Sequence, residues 1–317
     1  EGSKARARKR TDKGFIAYSA GNFKQARQQL LASVGNVDSP VINYLLAARC
    51  SQFMGEDDRA LELLEQAQLA DPEAHPAVSV VQAEIYQQQG DWEQSLATLK
   101  PLEESRNAMV VRALARVYEE LGDYASLYAL IVTTEKQKVL SSQELDRLRT
   151  RILNCWIDQQ VDRIQRGRSP EDGLSTLFAS LSKSDQSRVE IVQAYAKGLM
   201  TLGMSQSAEK VLRPFIKRDV EPSLLTLYGQ TDGVDVFKQI KLLQSVTCDD
   251  RYAMMLALAR QSKRAELWGQ ARDFYQKCFE LSPSVEVAKP YAEVLRAMDE
   301  PDAAAEVERT AIAAFSR

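Results

Sequence analysis

Ala60, Leu63, Leu64 and Ala67 are spaced i, i+3, i+4, i+7, which puts four apolar side chains on one stripe of a helix. Upstream, Tyr44, Ala47, Ala48 and Ser51 line a second stripe, and Gly55-Glu56-Asp57 separates the two predicted helices. The same arrangement of two short amphipathic helices about a glycine turn recurs. Ala26, Leu30 and Leu31 follow Gly21-Asn22-Phe23; Ala83, Tyr86 and Leu99 flank Gly90-Asp91-Trp92; Ala115, Tyr118 and Ile131 flank Gly122-Asp123-Tyr124. The turn glycines are 34, 35 and 32 residues apart. A period of about 34 is that of the tetratricopeptide helix-turn-helix unit, which stacks into a solenoid with an extended binding face. Small residues such as Ala60 and Ser95 let the two helices of a hairpin approach closely, and the aromatics are expected to fill gaps between layers.

The regularity then lapses. Ser141-x-x-Glu144 reads as a capping box opening a helix that runs to about Gly167, and Ser169-Pro170-Glu171-Asp172 reads as a new helix start. Ala196, Leu199, Ala208 and Leu212 restore the repeat offsets around Gly203. Gly229 to Gly233 is a predicted loop, with a helix starting about Val234. Trp268, Ala271, Tyr275, Cys278 and Pro283 restore the pattern with Glu266 in the glycine position, and Ala292, Leu295, Pro301 and Ala304 repeat it. The pattern predicts an all-α, right-handed superhelical tetratricopeptide-like solenoid of about seven helical hairpins. Its expected segments are a basic arm at 1–13, regular repeats at 14–137, an irregular middle at 138–245 and closing repeats at 246–317.

Composition agrees with a helical array. Gly and Pro number 14 and 10 in 317 residues, below the average usage of roughly 12%, and a 44% hydrophobic fraction suffices for a core. The net charge of −3 is unevenly spread, because Lys4, Arg6, Arg8, Lys9, Arg10 and Lys13 face only Glu1 and Asp12 in the first thirteen residues. A basic arm on an acidic body predicts attraction to an anionic lipid surface, and an acidic body argues against nucleic acid. Cys50, Cys155, Cys248 and Cys278 are far apart, each among apolar residues, and are expected to be buried, reduced thiols. No apolar run approaches the length of a membrane span.

Catalytic chemistry finds no foothold. The single histidine, His75, is read as an exposed turn residue, and neither a G-x-G-x-x-G nor a G-x-x-x-x-G-K-[ST] sequence occurs. Function therefore falls to the face made by the first helix of each hairpin. With the turn glycine as position 15 of its repeat, positions 2, 5, 9 and 12 face the groove. They include Phe15, Tyr18, Leu45, Arg49, Gln52, Glu84, Gln87, Arg112, Arg116 and Glu119. Phe15, Tyr18, Arg49, Arg112 and Arg116 are the candidate partner-binding residues, since aromatics and arginines dominate binding hot spots. The lysine/asparagine carboxylate clamp of chaperone-binding repeats is not reproduced: Thr11, Phe15, Leu46, Ala77 and Val81 occupy its positions.

The basic run through Arg10, then Gly21-Asn22-Phe23 and Asn43-Tyr44-Leu45-Leu46-Ala47-Ala48, resemble the HemY family of Gram-negative bacteria, and Trp268, Ala271 and Pro301-Asp302-Ala303-Ala304-Ala305 continue the likeness. The resemblance implies two membrane helices preceding a basic stretch, with the helical array on the cytoplasmic side of the inner membrane. It implies association with late haem (protoporphyrin) biosynthesis, without an established catalytic site. On that basis the expected role is a non-catalytic, membrane-tethered scaffold with no cofactor of its own. Its expected partners are haem-biosynthesis enzymes such as ferrochelatase, and the anionic membrane surface would meet Lys4 to Lys13. A haem or protoporphyrin carrier, and an assembly factor for another membrane complex, are the alternatives. The flavin-dependent protoporphyrinogen oxidase that shares the name would need the absent glycine fingerprint.

Overall fold

A computed structural model describes residues 2–218, 220–233 and 235–315, all of them helix or connecting turn. The expected helix start at Val234 and the last two positions of the closing segment lie outside the described residues. The chain divides into two compact units, 1–152 and 153–317.

The first unit holds α1 (Gly2–Ser19), α2 (Phe23–Leu31), α3 (Val41–Phe53), α4 (Asp57–Ala70), α5 (His75–Gln88), α6 (Trp92–Leu99), α7 (Ala108–Glu120) and α8 (Tyr124–Gln137), and α9 (Ser142–Gln165) begins in it. Consecutive helices pair as hairpins, α1 with α2 through α7 with α8, and each odd-numbered helix also packs on the next odd-numbered one as far as α7. Ala26, Ala47, Ala48, Ala60 and Ala67 are fully buried in this core, so backbones approach where only a methyl group intervenes. At Gly14 even a methyl group is too much: a Cβ there would stand 2.7 Å from Leu30 Cγ.

One device ends each first helix. Gly21, Gly55, Gly90 and Gly122 adopt φ of 75°, 74°, 77° and 67°, in the left-handed region that glycine enters without strain. The next amide then reaches back five residues, from Asn22, Glu56, Asp91 and Asp123 to the carbonyls of Ala17, Ser51, Tyr86 and Tyr118 at 2.8–2.9 Å. This is the Schellman closure, which satisfies carbonyls the helix end would leave bare. The Asn22, Asp91 and Asp123 side chains then cap the following helix by accepting from the amides of Gln25, Gln94 and Ser126. The periodic glycines are thus a backbone requirement.

The second unit contains α10 (Gly173–Ser180), α11 (Lys183–Gln186), α12 (Val189–Thr201), α13 (Ser205–Arg218), α14 (Pro222–Tyr228), α15 (Val236–Ser245), α16 (Arg251–Arg264), α17 (Trp268–Leu281), α18 (Val285–Ala297) and α19 (Pro301–Phe315). Hairpins form from α12 and α13, α16 and α17, and α18 and α19, whereas α14 and α15 both pack on α16. Gly203 makes the same turn with φ 75°, and Glu266 and Asp299 are held at 56° and 62° in the two last turns. The loop between α14 and α15 is tied down: Gln261 Nε2 donates to the carbonyls of Gly229 (3.1 Å) and Thr231 (2.8 Å), and Gly233 N donates to Gln239 Oε1 at 2.9 Å.

Two expectations change. The basic segment is no separate arm but the opening turns of α1, packed on the chain ahead of α3: Lys4 Nζ meets Asp38 at 2.6 Å and Arg10 Nη1 donates to the Ala32 carbonyl at 3.1 Å. Of the four cysteines only Cys50 and Cys278 are buried, and burial pushes each thiol up to about 11; Cys155 and Cys248 are half-buried.

Candidate functional site

The first helices of the hairpins in the first unit, α1, α3, α5 and α7, together with the start of α9, carry two cavities in a row. The first, about 360 Å³, is lined by Phe15, Ile42, Leu45, Leu46, Val80, Val81 and Met109, with Arg49 at its rim. Phe15, Ile42 and Met109 are 42%, 52% and 51% exposed, so the apolar lining stands open to solvent. The second, about 610 Å³, is lined by Arg112, Arg116, Arg147 and Arg151 against the carboxylates of Glu119 and Glu144. Arg112 joins the two, its Nη1 lying 3.9 Å from Met109 Sδ. One face is therefore apolar toward α1 and cationic toward α9.

The repeat frame explains this division. Ile42 and Met109 occupy repeat position 2, and Leu45, Val80 and Arg112 occupy position 5. Position 12 is divided: Glu119 lines the cationic cavity, whereas in the first three hairpins this position, beside the turn, is drawn into packing. Gln52 and Gln87 are buried there, Gln87 Nε2 donating to Ser95 Oγ at 3.1 Å. Tyr18 at the same position packs on Phe23 and Phe53 with ring centroids 5.9 and 6.3 Å away, and lines neither cavity. The sequence thus places Phe15 and Arg49 at the apolar cavity and Arg112 and Arg116 at the cationic one, while Tyr18 serves packing. It passed over Ile42, Met109 and Arg147; the first two share the frame that selected Leu45 and Arg112.

The arginines are not equivalent. Arg49 pairs with Glu84 at 2.9 Å. Arg112 forks onto Glu144, Nε to Oε1 at 2.8 Å and Nη2 to Oε2 at 3.1 Å, and the Glu144 carboxyl is held below its ordinary value chiefly by that hydrogen bonding. Arg151 meets Glu119 at 2.8 Å. Each pair spans about one repeat and links neighbouring first helices. Arg116 stands over the Trp92 ring, 5.8 Å from its centroid, and among the described residues neither it nor Arg147 has a carboxylate partner. Both are exposed.

On α1, Lys4 and Arg8 share Asp38, at 2.6 and 3.7 Å. Arg6, Lys9 and Lys13 have no carboxylate partner among the described residues and fall at i, i+3 and i+7, one exposed face. Ile16, 69% exposed, continues it. His75 is exposed at the start of α5, Nδ1 3.3 Å from Gln68 Oε1. Among the described residues no group of three His, Cys, Asp or Glu side chains is placed to hold a metal, and no helix is long and apolar enough to cross a membrane.

A family model described as the HemY protein N-terminus matches residues 1–55. The curated Protein HemY of Escherichia coli K12 is 22% identical over 309 residues, covering 96% of this chain and 76% of that protein, and the Shigella flexneri Protein HemY matches to the same extent. Among solved structures, Naa15/Naa10 bound to HypK-THB aligns with a TM-score of 0.41 at 13% identity over 98% of this chain, which spans only 58% of that one. A tetratricopeptide repeat protein from Parabacteroides merdae aligns with a TM-score of 0.34 at 14% identity, over 80% of this chain and 98% of its own. The N-terminal residues are thus matched by the HemY family model, and the likeness to the curated HemY proteins runs over 96% of the chain.

Proposed function

We propose that the chain is a non-catalytic interaction scaffold of late haem biosynthesis, held at the inner membrane, whose docking surface is the two-cavity face of the first unit. The likeness to HemY proteins, which runs over nearly the whole chain, supports the association with haem biosynthesis. The observation that carries the docking reading is the open apolar cavity. Phe15, Ile42 and Met109 come from three different helices and leave about half their surface in water. A partner that covers apolar area recovers roughly 25 cal/mol per Å² before ordering costs.

Ferrochelatase is the proposed partner class, and the test is its co-purification with the chain carrying Ile42→Asp and Met109→Asp. Both side chains are exposed, so the fold should hold; wild-type capture with loss in the double variant is expected. Equal capture by both proteins would remove the face from consideration.

The Arg6, Lys9 and Lys13 stripe supports a second contact, with an anionic lipid surface, in which each cation near the surface is worth ~1 kcal/mol. The tetrapyrrole-carrier alternative draws on the same face, with the macrocycle in the apolar cavity and its carboxylates on the arginines. A Soret-band titration of the purified chain tests it.

A further inference from the structure

Resting on the docking reading above, we propose that the occupant of the two-cavity face is an acidic polypeptide segment whose apolar side chains enter the Phe15/Ile42/Met109 cavity and whose carboxylates are received by Arg116 and Arg147. Charge selects the acid. Four guanidiniums face two carboxylates in the cationic cavity, and the two carboxylates are already engaged by Arg112 and Arg151. Arg116 and Arg147 keep their donors free for a bidentate acceptor. Arg112 and Arg151 are thereby positioning residues, tying neighbouring first helices together and fixing the spacing of the two acceptors beside them.

Length selects a polypeptide. The two cavities are lined from α1, α3, α5, α7 and α9, and since packed helix axes typically stand about 8–10 Å apart, five helices side by side span on the order of 35 Å. An extended chain covers that distance in about ten residues, whereas a compact ligand fills one cavity and leaves the other empty. Direction follows from the same asymmetry: the apolar end of the segment lies over α1 to α5 and the acidic end over α7 and α9. In a chain of net charge −3, a cationic groove of this kind is a local exception that an acidic partner would find by electrostatic steering.

The test is selection of a random phage-displayed peptide library, of about twelve residues per peptide, on the full chain. Affinities of the selected peptides are then read by fluorescence anisotropy. Enriched peptides should group Asp and Glu at one end and aromatic or branched apolar residues at the other. Arg116→Glu with Arg147→Glu should weaken them at least about tenfold, a loss that doubles as a salt-sensitive one. Circular dichroism checks that the double variant is folded, which its two exposed, carboxylate-free arginines allow. Enriched peptides without acidic bias, or binding unchanged in the arginine variant, would overturn the acidic assignment. In that case loss of binding in Ile42→Asp would leave the docking reading standing. If no peptide distinguishes wild type from Ile42→Asp, the docking reading falls as well. If peptides fail while protoporphyrin or phosphatidylglycerol vesicles bind in an Arg116- and Arg147-dependent way, the occupant is not a polypeptide and the proposal is overturned.

Discussion

Arg112 and Glu144, on helices one repeat apart, meet through two parallel hydrogen bonds, Nε to Oε1 at 2.8 Å and Nη2 to Oε2 at 3.1 Å. Their side chains are 49% and 38% exposed. A forked pair in that much solvent is largely screened, so it orders a neighbour more than it holds the fold. Arg112→Ala should therefore lower thermal stability by no more than a few degrees. The Glu144 carboxyl, depressed by Arg112, should return toward its ordinary value in that variant, which a carbon-detected NMR titration reads directly. The sign follows from the depression. The pair's contribution is complete above the unfolded carboxyl value and is lost as pH falls through the lower folded value. A Glu144 titration identical in wild type and variant would show the pair to be open in solution.

The α1 cations divide into two sets with different expected effects. Lys4 and Arg8 are partly neutralised by Asp38, whose carboxyl is itself pulled down, chiefly by the Lys4 hydrogen bond. Arg6, Lys9 and Lys13 are not. Replacing these three with Gln should reduce flotation with phosphatidylglycerol vesicles by roughly ten- to a hundredfold at low salt, from ~1 kcal/mol per cation less screening losses. Replacing Lys4 and Arg8 with Gln should do less. Equal loss from both sets would mean that Asp38 releases its partners at the surface.

Much of this architecture was legible in the sequence because a left-handed turn residue writes itself as glycine at 21, 55, 90 and 122. Where Glu266 and Asp299 make the turn instead, the aromatic and small-residue offsets still carried the period. The groove frame was legible at positions 5 and 9 and only partly at position 12, where Glu119 lines the cationic cavity but Tyr18, Gln52 and Gln87 are drawn into packing near the turn. Which arginine is spoken for was not legible. Glu84 and Glu144 sit about a repeat beyond their partners, and their pairing depends on the packed register of neighbouring helices.

The non-glycine turns give a stability prediction. Holding a residue with a Cβ in the left-handed region costs roughly 1–2 kcal/mol, offset in part by the extra freedom glycine brings to the unfolded chain. Glu266 sits at φ 56°, and its amide donates to the Lys263 carbonyl at 3.0 Å, a bond that any residue there retains. Glu266→Gly should then stabilise by about 1 kcal/mol, a rise of about 2–4 °C in melting temperature for a unit of this size. Glu266→Val should destabilise by a similar or larger amount. A fall in melting temperature for the glycine variant would mean that the Glu266 side chain carries a favourable contact that outweighs the strain.

Glu209 supplies the strongest stability test, in a part of the chain where the repeat pattern was weakest. It is 2% exposed and accepts from Arg213 Nε at 2.9 Å and from the Tyr228 hydroxyl at 2.8 Å. Arg213 alone reads in the sequence as an ordinary i, i+4 surface partner; it is Tyr228, arriving on α14, that closes the carboxylate in. Burial, then the hydrogen bond to Glu209, pushes the Tyr228 phenol well above its ordinary range, so it remains a donor throughout neutral pH. Glu209→Ala leaves that hydroxyl buried without its acceptor and should cost about 2–3 kcal/mol, well above the cost of Arg112→Ala. Glu209→Gln keeps an acceptor for Tyr228 and should cost less than the alanine variant. Tyr228→Phe removes the donor and leaves the carboxylate with Arg213. Hydrogen exchange across α13 and α14 resolves the three variants from unfolding elsewhere. Equal costs for Glu209→Ala and Glu209→Gln would mean that the Tyr228 hydrogen bond contributes nothing and that the cavity left by the shortened side chain is filled by its neighbours.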